Sequence, residues 1–330
     1  MLLSSPDVLF QTGFGRQISL LRGRLDQSAQ EMVTGRKSDA VRASQGSTGT
    51  LLEARAKIDG AEPERTRLAV FEGRYRTAAS ALRTIGELTG EAASTAKAAG
   101  DLTAGVDADR FAGIEARSAL ASVFGSLEAS FGGRSLFGGD LGQGRVLADV
   151  STLFSEVETA LAGATDAASV AAAIDSFLAP GGGFDTLIYQ GGDRTGAAEI
   201  DQGLRLEGVF TAASDPLKGL YKGLLMASFN DRVEASERSA FLLEAGDLIN
   251  AARDELVAEE AGLGLSLGAI ERAEERLERN LLTAEQTVER ILGRDPFEAA
   301  SETQSLEAKL QAAYTVTGRL SGLRLTNYLR

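Results

Sequence analysis

The chain has 330 residues, enough for two or three domains, and 43% of them are apolar. It contains neither Cys nor His, which excludes disulfides, thiolate nucleophiles and histidine-based acid–base or transition-metal chemistry. A net charge of −13 argues against nucleic acid and against an anionic membrane surface as partners.

Only five Pro interrupt the chain, and its Ala and Leu lose little side-chain entropy in a helix, so a mostly helical fold is expected. No apolar run reaches the roughly 20 residues of a membrane span. The opening MLLSSPDVLFQTGFGRQ lacks the basic start, apolar segment and cleavage site of a signal peptide. Secretion would then follow a route that cleaves no such peptide. The absence of Cys suits that route, because no wrong disulfide can form outside the cell.

In chain order, Phe14, Ile18, Leu21, Leu25, Ser28 and Met32 alternate spacings of four and three. That is a coiled-coil seam with Ser28 as its polar exception, and Thr34-Gly35 offers a stop. A second helix is expected over about 47–100, with Phe71, Tyr75, Ala78, Leu82, Ile85, Thr89, Ala92, Ala96 and Ala99 on its seam. A third runs from Asp107, a residue suited to N-capping, to Phe131, with Leu120, Phe124, Leu127 and Phe131 on one face. Periodicity stops at the Gly-crowded stretch 132–145.

Two helical patterns follow, near 147–162 and 167–178, before Pro180-Gly181-Gly182-Gly183 breaks the chain. FDTLIYQGG (184–192), TGAAEIDQG (195–203) and LRLEGVFT (204–211) read as short strands between Gly turns. Asp215-Pro216 opens a helix to about Phe229. Helical texture returns over about 233–292, with a seam of Leu263, Leu267, Ile270, Glu274, Leu277, Leu281, Ala284, Val288 and Ile291. Gly293–Pro296 breaks it, and the last helix, Phe297 to about Leu329, carries Ala313, Val316, Leu320, Leu323 and Asn327 on its seam.

The expected fold is mainly α with a small α/β insertion: a long antiparallel helical bundle or coiled coil formed by the N- and C-terminal segments, with a central mixed domain. The expected domains are 1–42 with 296–330 as a terminal coiled coil, 43–131 with 235–295 as a long helical bundle, and 132–234 as the mixed insertion. Burying one Leu is worth roughly 1.5–3 kcal/mol, so the two ends must cover their stripes on each other or on another copy.

No motif for chemistry survives inspection. Gly264-Leu265-Ser266-Leu267-Gly268 has the form of a nucleophile elbow, but that chemistry needs a His and a strand-to-helix turn. The Gly-rich run from Gly138 to Arg145 has neither the dinucleotide spacing nor the Lys of a phosphate loop. Acidic residues alternate with Arg along the helices, as a solvated face does, and no calcium-loop spacing occurs. No catalytic, cofactor or metal residue is expected.

The run EAASETQSLEAKLQAAYTVTGRLSGLRLTNYL within Phe297–Leu329 resembles the end of the flagellin superfamily, with Gln311, Leu323, Leu325, Asn327, Tyr328 and Leu329 in its pattern positions. Leu25 to Ser28 and Met32-Val33-Thr34-Gly35-Arg36 resemble its opposite end, with departures at Val33 and at Ser38–Arg42. Three further segments are similar to the branch of hook–filament junction proteins, hook-associated protein 3. They are Gly133–Gly139, Tyr189–Asp193 followed by Glu199–Gly203, and Thr326–Leu329.

The resemblance implies a non-enzymatic subunit of the bacterial flagellar axis that is exported unfolded through the type III apparatus. It implies self-association, the first hook-associated protein and flagellin as neighbours, and an export chaperone on the C-terminal helix. The insertion would face outward. The expected assembly residues are Phe14, Ile18, Leu21, Leu25, Met32, Ala313, Val316, Leu320, Leu323, Leu325, Asn327, Tyr328 and Leu329. Flagellin itself, and a soluble coiled-coil enzyme or sensor, are the alternatives.

Overall fold

The computed structural model describes residues 6–101, 107–201 and 204–328. Helices α1 (Pro6–Thr34), α2 (Ala40–Ser44), α3 (Thr48–Gly100) and α4 (Ala108–Leu127) come first. Strands β1 (Ser130–Phe131) and β2 (Arg134–Ser135), helices α5 (Val150–Ala160) and α6 (Ala167–Leu178), and strands β3 (Ala198–Asp201) and β4 (Leu204–Leu206) follow. Helices α7 (Asp215–Ser228), α8 (Ala235–Leu292) and α9 (Pro296–Tyr328) complete the order. The strands form two small antiparallel pairs, β1–β2 and β3–β4. The fold is therefore mainly α, with long helices packed on one another and a small strand-bearing insertion.

Two compact units emerge: residues 1–63 with 277–330, and residues 64–276. In the first unit α1 lies along α9. Arg22 meets Tyr314 while Ser28 meets Thr303, so the two helices run antiparallel. Beside them Leu51 and Ala54 of α3 and Ala284, Val288 and Leu292 of α8 form a buried cluster, packed round by Ala40, Ala43, Ile58 and Ile291.

In the second unit α3 and α8 are also antiparallel, tied by Arg83–Glu260 at 2.8 Å and Lys97–Asp247 at 2.6 Å. Every α3 seam position from Tyr75 to Ala99 is buried, and Phe71 is half-buried. Thr89, the polar member, donates its hydroxyl to the Ile85 carbonyl of its own helix at 2.7 Å, so burial leaves no donor unpaired. Helix α4 packs on α7, and Tyr221 is the centre of that layer. Its ring stands edge-on to Phe124 at 5.8 Å and 5.0 Å from Phe184, and its hydroxyl donates to the Ala212 carbonyl at 3.0 Å. Burial drives its phenol pKa well above 10.0.

Three local expectations are corrected. Residues 184–188 form one π-helical turn rather than a strand. Phe184 and Ile188 are fully buried while Thr186 between them is exposed; a strand would put all three on one face, whereas a helical turn puts only the first and last together. Asp107 precedes α4, yet its carboxylate makes no cap hydrogen bond. Helix α4 also stops at Leu127 instead of Phe131, because β1 and β2 take over. Gly132 and Gly133 both have positive φ, as a two-residue hairpin turn requires.

Candidate assembly surface

The first-unit hairpin is built from small and apolar residues meeting across α1 and α9. Phe14, Ile18, Leu21 and Leu25 of α1 are half-buried. On α9, Ala299 and Leu306 are buried and Thr303, Leu310 and Ala313 half-buried. Ser28, the polar exception of the seam, is buried and closes the contact. Its hydroxyl donates to the Ala299 carbonyl at 3.2 Å and stands 3.0 Å from the Thr303 hydroxyl. Two of the expected residues lie more open: Met32 is 41% exposed and Val316 45% exposed. The side chains of Leu320, Leu323, Leu325, Asn327 and Tyr328, on the last turns of α9, and the whole of Leu329 lie outside the described residues.

A clasp anchors one end of the hairpin. The backbone N–H of Arg294 donates to the Gly35 carbonyl at 2.9 Å, and that of Lys37 to the Leu292 carbonyl at 2.7 Å. Within this frame Glu31 is buried. Its Oε1 accepts from the Ser38 backbone N–H, the Ser38 hydroxyl and Gln27, each at 3.0 Å. Its Oε2 lies 3.6 Å from Arg294 Nε, and the same guanidinium reaches Glu298 and Glu302. Burial pushes the Glu31 pKa up, but the Ser38 and Gln27 hydrogen bonds and the Arg294 charge outweigh it and hold it below the ordinary glutamate value. Sequence reasoning placed a helix stop and a chain break here and missed the ion pair. A Glu one turn before Gly35 and an Arg just after the α8 break were the available signals.

The hairpin also leaves large apolar side chains in solvent. Val33 is 81% exposed, Phe297 82% and Leu20 68%. Single exposed apolar residues are ordinary, and these stand on two helices that have each other as their main cover.

Elsewhere, Ser266 of the elbow-like segment sits mid-helix in α8, and its hydroxyl donates to the Gly262 carbonyl at 3.1 Å. Among the described residues no group of His, Cys, Asp or Glu is placed to hold a metal ion, and no helix is long and apolar enough to cross a membrane.

No protein-family model matches this chain, and neither does any curated protein. Solved structures do. The chain is similar to a protein described as a flagellar hook-associated protein from Vibrio parahaemolyticus, with a TM-score of 0.52 and 12% identity over 72% of this chain and 94% of that one. It is also similar to FlgL from Bacillus cereus, with a TM-score of 0.47 and 14% identity over 67% of this chain and 98% of that one. At these identities the likeness is one of fold.

Proposed function

We propose that this chain is a structural subunit of the bacterial flagellar axis, placed at the junction between hook and filament, and that it has no catalytic role. The observation that carries the reading is the fold shared with the Vibrio protein over 94% of that protein's chain. The terminal motifs of the sequence and the half-covered α1–α9 hairpin support it independently.

In this reading residues 1–42 with 296–330 form the assembly domain, 43–131 with 235–295 the bundle domain, and 132–234 the outward-facing insertion. Assembly draws free energy from burying the remaining seam surface between subunits. The thirteen seam and terminal residues named above, from Phe14 to Leu329, are the proposed contacts. The neighbours are other copies, the first hook-associated protein and flagellin. An export chaperone holds the C-terminal helix beforehand, and the chain leaves the cell through the type III route.

Incorporation tests this directly. Immunogold labelling of intact flagella should place the chain at the hook–filament junction. The Leu320→Asp variant should be exported yet absent from sheared axes, with the insertion still folded. Normal filament attachment in that variant would sink the assigned surface. Absence of the wild-type chain from sheared axes would sink the reading itself.

A further inference from the structure

Within residues 64–276, α8 passes through a stretch unlike the rest of its length. Residues 261–270 carry no charge and include Gly262, Gly264 and Gly268. Interior glycines weaken a helix, and packing does not call for these. A Cβ at Gly262 or Gly264 would meet nothing within 4 Å, and one at Gly268 only Arg272 Nη1 at 3.5 Å. Gly246 of the same helix differs: a Cβ there would collide with Lys97 Cγ and fall 3.1 Å from the Ala93 carbonyl. The Ser266 hydroxyl also donates to the Gly262 carbonyl at 3.1 Å. Side-chain bonding of that kind and Gly/Ser pairs are both places where helices bend.

The partner helix is softened at the same level. Arg253 Nε donates to the Gly86 carbonyl at 2.9 Å, and Lys97 pairs with Asp247. This antiparallel register sets residues 262–268 of α8 beside about 73–79 of α3. There the Thr77 hydroxyl donates to the Gly73 carbonyl at 2.8 Å, and Ala78 is the small seam residue.

The insertion bridges this level. At one end α7 lies close on α8, where a Cβ at Gly223 would fall 3.0 Å from the Ala245 carbonyl and the Ile249 nitrogen. At the other end Phe131 of β1 rests on α3, where a Cβ at Gly73 would collide with the tip of its ring. Beside it the Tyr75 hydroxyl donates to the Glu207 carbonyl. The insertion thus holds the pair at 245–249 of α8 and at 73–75 of α3, and the weak stretch begins between these holds and ends at the second.

We infer that residues 262–268 of α8 are a hinge in the α3–α8 pair, and that the insertion is a strap across it, fastened by Phe131 in the Gly73 notch and by Tyr75 on the Glu207 carbonyl. With the strap released, the pair bends at this one place while the seams on either side stay closed. The inference concerns a single copy and is independent of the subunit role.

Distances between paired spin labels on the full-length chain test it, since the chain has no Cys of its own. Ala251→Cys with Glu271→Cys spans the hinge, roughly 30 Å along α8, and Ala240→Cys with Ala258→Cys spans roughly 27 Å of the same helix outside it. All four positions are exposed. In the otherwise unchanged chain both pairs should give narrow distributions. Phe131→Ala with Tyr75→Phe should broaden the 251–271 distribution about twofold or more and leave 240–258 narrow. Adding Gly262→Ala, Gly264→Ala and Gly268→Ala to that variant should make 251–271 narrow again.

An unchanged 251–271 distribution in the Phe131/Tyr75 variant overturns the strap. Broadening that the three alanines do not reverse overturns the hinge. Broadening of both label pairs alike means general loosening of the fold and overturns both. Hydrogen exchange of the unlabelled chains gives a second reading. Amides of 262–268 should exchange at least about tenfold faster in the Phe131/Tyr75 variant than in the wild type, with 242–256 unchanged. Equal acceleration of the two segments counts against the inference in the same way.

Discussion

At the scale of single residues, the hairpin depends on how Ser28 and Glu31, the buried polar side chains among its described residues, are satisfied. Ser28 is tolerated in the seam because its hydroxyl has partners on α9. Glu31 is the stronger constraint, since its carboxylate serves the Ser38 N–H, the Ser38 hydroxyl, Gln27 and the Arg294 guanidinium at once. Removing the charge with Glu31→Gln should cost about 1.5–3 kcal/mol at pH 7, the worth of a charged hydrogen bond. The pH dependence has a definite sign. The folded pKa lies below the ordinary value of 4.5, so the contribution is complete above pH 4.5 and is lost as pH falls through the folded value. Denaturant titrations of wild type and Glu31→Gln at pH 7, 5 and 3 measure this. The difference between the two chains should hold from pH 7 to 5 and shrink towards pH 3. A difference that grows on acidification would contradict the clasp. The sequence displayed the ingredients, but a Glu and an Arg separated by 262 intervening residues carry no periodicity, and only the backbone bonds around Gly35 and Arg294 bring them together.

At the scale of elements, apolar spacing predicts what it physically controls. On α3 the seam from Tyr75 to Ala99 is buried throughout, because a stripe of that length has a helix of matching length to lie against. Spacing is less informative where runs are short: Phe184, Leu187 and Ile188 sit at i, i+3 and i+4, the mark of a helical turn, inside a segment whose Gly flanks suggest a strand. The approach of α7 to α8 is not legible at all, because it depends on a missing side chain. A Cβ at Gly223 would fall 2.6 Å from Ile249 Cγ1 and 3.0 Å from the Ala245 carbonyl and the Ile249 nitrogen. Backbone atoms there cannot give way as a flexible side chain can. Gly223→Ala should therefore destabilise by about 1–3 kcal/mol, despite alanine's better helix propensity. The same change at Gly264, where nothing lies within 4 Å, should stabilise by up to about 1 kcal/mol. Thermal melts of the two variants decide it, and shifts of the same sign would show that α7 and α8 are not held this closely.

At the scale of the whole molecule, charge and burial are distributed in the same sense. Residues 1–63 with 277–330 contain 15 basic and 14 acidic side chains, whereas residues 64–276 contain 19 basic and 33 acidic. The first unit is thus +1 and the second −14, so the negative charge of the chain belongs to the second unit. Copies brought together through the first unit meet a near-neutral surface, and the second unit stays repulsive and hydrated, which favours ordered over indiscriminate association. Burial follows suit. Ile85, Ala96, Leu224 and Ile249 of the second unit are fully buried, while Phe14, Ile18, Leu21 and Leu25 remain half-covered. An amide opens at a cost set by the apolar surface its opening exposes, so hydrogen exchange should reveal the gradient. In a dilute full-length monomer, amides of residues 14–32 should exchange at least a hundredfold faster than those of 82–96 and 220–227. In assembled axes that gap should narrow sharply, as neighbouring copies cover the seam. Equal protection in the monomer would mean that the hairpin is already complete within one chain. The surface assigned to assembly would then have to lie elsewhere.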